Sequence, residues 1–213
     1  MDKQVYDELF VGRRNGLESE MILCIKSDAV RFYKAFTLLK DNLAANHHLF
    51  ELLEEATLLP RDMVEGNESY KQIIVYIIIK NKKLVYRYKR SGGEDRLMRL
   101  YSLGIGGHVN SEDMESSSDA FSAIEFGFRR ELNEELLIRG DYKSKWVGVI
   151  NDNSNPVGKV HLGIVMEIDV DGEPVYPIDN NLSRGLFEEV STIIAEKDKY
   201  ESWSQLLMDY LEV

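Results

Sequence analysis

Arg130-Glu131-Leu132-Asn133-Glu134-Glu135 lies within the clearest helical pattern of the chain, Ala120–Leu137. Phe121, Ile124, Phe128, Leu132 and Leu136 form one apolar stripe there, and Asp119 or Ser118 can cap its start. Glu131, Glu134 and Glu135 stand at i, i+3 and i+4. At helical pitch they share an arc of roughly 100°, beside the stripe rather than opposite it. Glutamates on helices are ordinarily a solvated face. Three carboxylates next to a buried stripe repel one another unless a cation sits among them, and hard divalent ions such as Mg²⁺ take clustered carboxylate oxygens.

Outward from the helix, Leu100–Val109 carries Gly104-Ile105-Gly106-Gly107-His108, a glycine-dense strand end where backbone carbonyls can approach a ligand. Ser111–Asp119 is polar and reads as a surface loop. Gln72–Lys80 is a dense β-branched run, suited to a strand buried on both faces. Asn81-Lys82-Lys83 reads as a turn, and Leu84–Arg90 alternates as a half-exposed strand, completing a hairpin. Ser91–Asp95 reads as a loop. Trp146–Ile150 and Val160–Ile168 read as strands separated by turn residues 151–158, and Leu186–Ala195 and Tyr200–Leu211 as closing helices. Residues 1–65 hold a strand signal at Ile22–Ile25, then helical spacing at Phe32, Phe36, Leu39 and Leu43 and again at Leu49, Leu52, Leu53 and Ala56; Pro60 closes the region. The order predicts an α+β sandwich, a mixed sheet flanked by helices. Residues 1–65 form an α/β extension packed on a core of residues 66–213.

The 213 residues carry a net charge of −11, with 44% hydrophobic and 30% charged residues. A chain this acidic lacks the basic surface that drives nucleic-acid binding. It also repels polyanions, so a phosphorylated substrate needs local relief from a metal or a few placed cations. The densest basic region is Arg87, Lys89, Arg90, Arg96 and Arg99. Of these, Arg87 and Arg96 are candidate substrate contacts, although charges on strand edges more often serve solubility. The lone Cys24 excludes an intrachain disulfide and reads as a small core residue. The polar start Met1-Asp2-Lys3-Gln4 has no signal-peptide apolar region, and the apolar run Ile73–Ile79 is too short to span a bilayer. A soluble cytoplasmic protein without a membrane partner is expected. His108, directly after the glycines, is a candidate phosphate contact or a structural histidine; His47, His48 and His161 read as structural. No P-loop or Rossmann fingerprint is present.

Gly107 followed by Arg130-Glu131-Leu132-Asn133-Glu134-Glu135-Leu136-Leu137-Ile138 resembles the box of the Nudix hydrolase family, and the stretch from Tyr70 to Asn110 is similar to its predicted phosphoesterase branch. That box reads Gly, five residues, Glu, seven residues, Arg-Glu, an aliphatic, any residue, Glu-Glu, any residue, Gly, an aliphatic. Arg130 stands twenty-three residues after Gly107 where the box has fourteen, an insertion of nine. Counted back from Arg130, the box's first glutamate falls on Ser122, with Glu112 or Glu115 as possible substitutes; Leu137 replaces the last glycine. The resemblance implies a Nudix-like mixed sheet and Mg²⁺ as cofactor, with Mn²⁺ able to replace it. The activity implied is hydrolysis of a phosphoanhydride, such as a nucleoside diphosphate linked to another moiety, by water attack at phosphorus. It makes Glu134 and Glu135 metal ligands, and Glu131 a metal ligand or the carboxylate that orients the water. Gly107 offers a backbone carbonyl to the metal, and Arg130 orients a carboxylate or serves as an i,i+4 partner of Glu134. Glu167, Glu188 or Glu189 is a candidate further ligand. The altered box leaves a catalytically weak nucleotide-binding or regulatory module as the alternative. A homodimer through residues 29–59 is also compatible with the helical pattern.

Overall fold

Burial on both faces selects β-branched and aromatic residues at every position of a strand, and the run from Tyr70 to Asn81 meets that demand. In the computed structural model, which describes residues 19–90, 100–178 and 182–212, this run is the central strand of a ten-stranded mixed sheet. The strands are β1 Met21–Lys26, β2 Phe36–Leu38, β3 Thr57–Pro60, β4 Tyr70–Asn81, β5 Leu84–Arg90, β6 Tyr101–Ser102, β7 Gly104–Ile105, β8 Leu136–Ile138, β9 Lys143–Ile150, β10 His161–Asp169, β11 Val175–Pro177 and β12 Leu182–Glu189. The helices are α1 Leu43–Glu54, α2 Arg61–Val64, α3 Ser111–Glu115, α4 Ala120–Glu135, α5 Pro156–Val160, α6 Val190–Ala195 and α7 Ser202–Leu211.

One edge of β4 pairs in parallel with β10, which pairs antiparallel with β9 and through it with β2. Its other edge meets β1, then residues 104–109, then β5, whose far edge carries β12. Alternation along β4 divides the core. Ile73, Val75, Ile77 and Ile79 pack under α1 and α4, while Tyr76 and Ile78 pack under α6 and α7. The result is a sheet with helices on both faces, as the order of patterns predicts. The strand β1 hydrogen-bonds to β4 and β3, so the described segment 21–60 contributes strands to the same sheet.

Several local expectations change. Phe32, Phe36 and Leu39 do not share a helix: Ser27–Phe32 is a 3₁₀ turn and Phe36–Leu38 pairs with β9. The Asn151 amide donates to the carbonyls of Val30 and Tyr33 and fixes that turn, so edge pairing overrides the spacing. Leu186–Ala195 splits into the end of β12 and the short α6, again because a free edge, here that of β5, captures the chain. The strand β5 is buried on both faces rather than one, since Tyr86, Tyr88, Val85 and Arg87 are all at most 9% exposed. The helix α4 stops at Glu135 because Leu136–Ile138 turns extended and pairs with β11. Ser91–Asp95, Arg96 and Arg99 lie outside the described residues, as does Met1–Gln4. No helix among the described residues is long and apolar enough to cross a membrane.

Cys24 is fully buried beside Ile22 and Val64, and burial pushes its thiol up to about 12. A thiol-reactive dye should therefore label no cysteine in the native protein and one after guanidinium unfolding. Labelling at equal rates in both states would place Cys24 at the surface.

Candidate active site

Asn110 begins the arrangement. Its side chain accepts from the backbone N–H groups of Glu112 and Asp113, and the Asp113 carboxylate accepts from the Asn110 N–H, a reciprocal cap that opens α3. Ser111–Glu115 is thus a helix rather than a loop, and its Asp113 side chain is 3% exposed. Gly127 lets α4 approach, since a Cβ there would stand 2.9 Å from Asp113 Oδ2.

Arg130, one turn after Gly127, meets Asp113 side-on. Its Nε donates to Oδ1 at 3.0 Å and its Nη2 to Oδ2 at 2.9 Å. Nη2 also donates to the His108 carbonyl at 2.9 Å. The remaining nitrogen, Nη1, donates to Glu131 Oε1 at 2.8 Å and Glu134 Oε2 at 3.3 Å. The Asp113 hydrogen bonds, against burial and with help from Glu131, hold the Arg130 guanidinium far above its ordinary value. Arg130 therefore stays charged and pinned.

Glu131 is 9% exposed, and its carboxylate lies against Gly107, where a Cβ would stand 2.5 Å from Oε1. Only glycine leaves that room. Burial raises the Glu131 carboxyl above its usual range; Arg130 opposes this, and the charges of Glu134 and Asp113 add to it. Glu134 projects outward with 59% of its side chain exposed, whereas Glu135 is half-buried. The Gly107 carbonyl accepts from Val75 N–H at 3.0 Å and keeps a second lone pair. Among the described residues no three acidic, histidine or cysteine side chains form a ready cation cage. Glu131 and Glu134 do converge on a single cationic nitrogen, and their hard oxygens suit Mg²⁺ or Mn²⁺, so the donor set fits such an ion.

The arginine's acidic partner is Asp113, and not Ser122, Glu112 or Glu115. Ser122 sits in the first turn of α4, its N–H bound by the cap Asp119, while Glu112 and Glu115 are exposed. Asp113 stands six residues beyond Gly107, with five between them, where the box has its first glutamate, so the insertion follows that position instead of preceding it. The pattern Asn110-x-x-Asp113 also carried a capping signal.

The other candidates lie apart. Strand alternation turns the His108 ring to the α7 face of the sheet, opposite Glu131; it contacts Gln72 at 2.7 Å and lies 5.5 Å from the His161 ring. Burial, with His161, Arg61 and Arg130 nearby, lowers its imidazole to about 3, so it is neutral. Arg87 also faces α7, bonded to Glu188 at 2.9 Å, Glu196 at 3.2 Å and the Tyr200 hydroxyl at 3.3 Å, and it stacks on Tyr101. Glu167 is buried on the same face with Lys145 at 2.9 Å and the Tyr210 hydroxyl at 2.8 Å. Glu189 is exposed at the start of α6. Arg96 lies outside the described residues. Two concavities of about 450 and 340 Å³ open elsewhere, one at Glu68–Tyr70 and one between α1 and the start of α4.

No protein-family model matches the chain. Protein YmaB of Bacillus subtilis strain 168 is 33% identical over 208 residues, which is 92% of this chain and all of YmaB. The crystal structure of Tm1382, described as a candidate Nudix hydrolase, is similar with a TM-score of 0.73 at 25% identity, over 90% of this chain and 98% of that one. The chain belongs to the Nudix family. A bifunctional NMN adenylyltransferase/ADP ribose pyrophosphatase from Francisella tularensis, solved with AMP and a Mn ion, shares the Nudix fold. Its TM-score is 0.51 at 14% identity, over 81% of this chain and 48% of that one. The helix that carries Arg130-Glu131-Leu132-Asn133-Glu134-Glu135 is α4.

Proposed function

We propose that this Nudix protein hydrolyses a phosphoanhydride, a nucleoside diphosphate linked to another moiety, by water attack at phosphorus with a divalent metal. The supporting observation is that Asp113 pins Arg130 so that Glu131 and Glu134 meet at one nitrogen beside Gly107. Cleaving a diphosphate requires neutralised phosphoryl charge, an oriented water and a stabilised leaving group. With a net charge of −11 the chain offers no broad basic surface for the first of these. Glu131, Glu134, Glu135 and the Gly107 carbonyl would hold Mg²⁺ or Mn²⁺. A bound ion supplies charge neutralisation at the phosphoryl and leaving groups. The Glu131 carboxylate, oriented by Arg130, is placed to hold the attacking water and accept its proton. The AMP and Mn ion bound to the Francisella enzyme agree with a nucleotide-like substrate and a divalent ion.

The test is a panel of nucleotides, dinucleotides and nucleotide sugars, run with Mg²⁺, with Mn²⁺ and with chelator. Turnover of at least one diphosphate-linked nucleotide is expected, abolished by chelator and strongly cut in Glu134→Gln and Glu135→Gln. Calorimetric binding of nucleotides with no phosphate released across the panel would replace this reading by a binding module.

A further inference from the structure

Directly after Glu135 the chain turns extended, and β8 pairs with β11 in a two-stranded ribbon outside the main sheet. The Ile178 N–H donates to the Glu135 carbonyl at 2.8 Å, so the ribbon is joined to the last turn of α4. Leu136, Ile138 and Val175 face inward and pack on the core. On the outer face Leu137 stands opposite Tyr176, with Ile178 two residues further along, and all three are exposed. Outward positions of such a ribbon are ordinarily polar. The inner face already anchors both strands, so the fold gains nothing from apolar side chains outside. Leu137 moreover occupies the position where the Nudix box has its last glycine.

A cation completes this face. The Arg139 guanidinium lies 5.7 Å from the centre of the Tyr176 ring. Among the described residues the exposed Arg139 forms no ion pair, in contrast to Arg61, Arg87 and Arg130. In a chain of net charge −11, a guanidinium without a carboxylate is available to an anion. An open aromatic ring, aliphatic neighbours and that guanidinium complement a nucleotide, since a base stacks on the ring and paired N–H groups take phosphate oxygens. Leu137 is two residues of extended chain from Glu135, about 7 Å.

We propose that the outer face of the β8–β11 ribbon binds the nucleotide part of the substrate, with the base on Tyr176 against Leu137 and Ile178 and a phosphate paired with Arg139. The inference rests on the reading of the α4 glutamates as the centre that cleaves a nucleotide phosphoanhydride. It names the side of that centre on which the nucleotide lies.

The experiment titrates AMP into the full chain with Mn²⁺ present, by calorimetry, and ribose 5-phosphate as a probe without a base. It compares wild type, Tyr176→Phe, Tyr176→Ala and Arg139→Gln. Tyr176→Ala is expected to bind AMP about 5- to 100-fold more weakly and to bind ribose 5-phosphate like wild type. Tyr176→Phe keeps the ring and should keep the affinity, while Arg139→Gln should weaken both probes. In turnover, KM for the nucleotide should rise while kcat holds. Arg139→Gln reads the same face from a solvated side chain, so lost folding in Tyr176→Ala does not shield the proposal. Wild-type AMP affinity in both Tyr176→Ala and Arg139→Gln overturns it, and loss of turnover in Glu134→Gln then leaves the catalytic reading standing. No AMP binding by wild type, or equal weakening of both probes in Tyr176→Ala, overturns it too. A wild-type dimer that Tyr176→Ala turns into a monomer with AMP affinity intact also overturns it, and makes this face a contact between copies. Weakened AMP binding in Tyr176→Ala and Arg139→Gln, with no nucleotide hydrolysed by wild type, sustains the subsite and overturns the hydrolase reading alone.

Discussion

Asp113→Ala should lower the Tm by roughly 6–12 °C and cut turnover as well. The side chain of Asp113 is 3% exposed and that of Arg130 is 20% exposed, and they meet through two parallel hydrogen bonds. Removing one partner of such a pair leaves a charge without compensation and costs about 3 kcal/mol, the low end of the buried range because Arg130 keeps some contact with water. For a chain of this size, each kcal/mol moves the Tm by about 2–4 °C. The reciprocal cap with Asn110 is lost too, which adds to the effect. Turnover falls for a separate reason: without Asp113, only the His108 carbonyl still anchors the guanidinium outside the glutamates, and it is freer to move further onto Glu131 and Glu134, to which its Nη1 already donates. It then competes for the oxygens that an ion needs. Asp113→Asn keeps the shape and one acceptor, so it should lose less stability while showing the same competition. A thermal melt of Asp113→Ala within 2 °C of wild type would show that Arg130 does not depend on Asp113.

Asp113 also shows where sequence reasoning stopped. The helix α4 and the strand β4 are legible because each buries a face whose period is written in consecutive residues. Arg130 through Glu135 is legible because its chemistry fits in two helical turns. Asp113 reaches Arg130 across an inserted segment. Counting back along the chain from Arg130 therefore lands on Ser122, whereas counting forward from Gly107 lands on Asp113. Arg87 fails for a related reason. A charge on a strand reads as a solvated edge, and its partners Glu188 and Glu196 come from more than 100 residues away. Phe36–Leu38 and Leu186–Glu189 lie in stretches with helix-compatible spacing, but each is captured by an open sheet edge that local sequence does not announce.

Glu131→Gln should separate stability from activity more sharply than any other single change. Turnover is expected to fall about 100- to 10,000-fold, the range for loss of a group that moves a proton in the reaction. Stability should not fall with it. Burial raises the Glu131 carboxyl in the folded state despite the Arg130 hydrogen bond, so the fold prefers that group protonated. A group with a raised folded pKa contributes stability that is full below its unfolded value and is lost as pH rises through the folded value. Wild type and Glu131→Gln should therefore melt together at pH values where the carboxyl carries its proton. They should separate above the ordinary carboxylate range, with the glutamine variant the more stable at neutral pH. The ion reverses the order: it binds the folded state alone and lifts the wild-type Tm in proportion to its concentration over its Kd. Glu131→Gln, lacking a carboxylate, should gain much less. Melts at acid and neutral pH, each with Mg²⁺ and with chelator, test every step. A neutral-pH Tm for Glu131→Gln several degrees below wild type in chelator would mean that the charged hydrogen bond to Arg130 outweighs desolvation. Glu131 would then be a structural residue that holds Arg130.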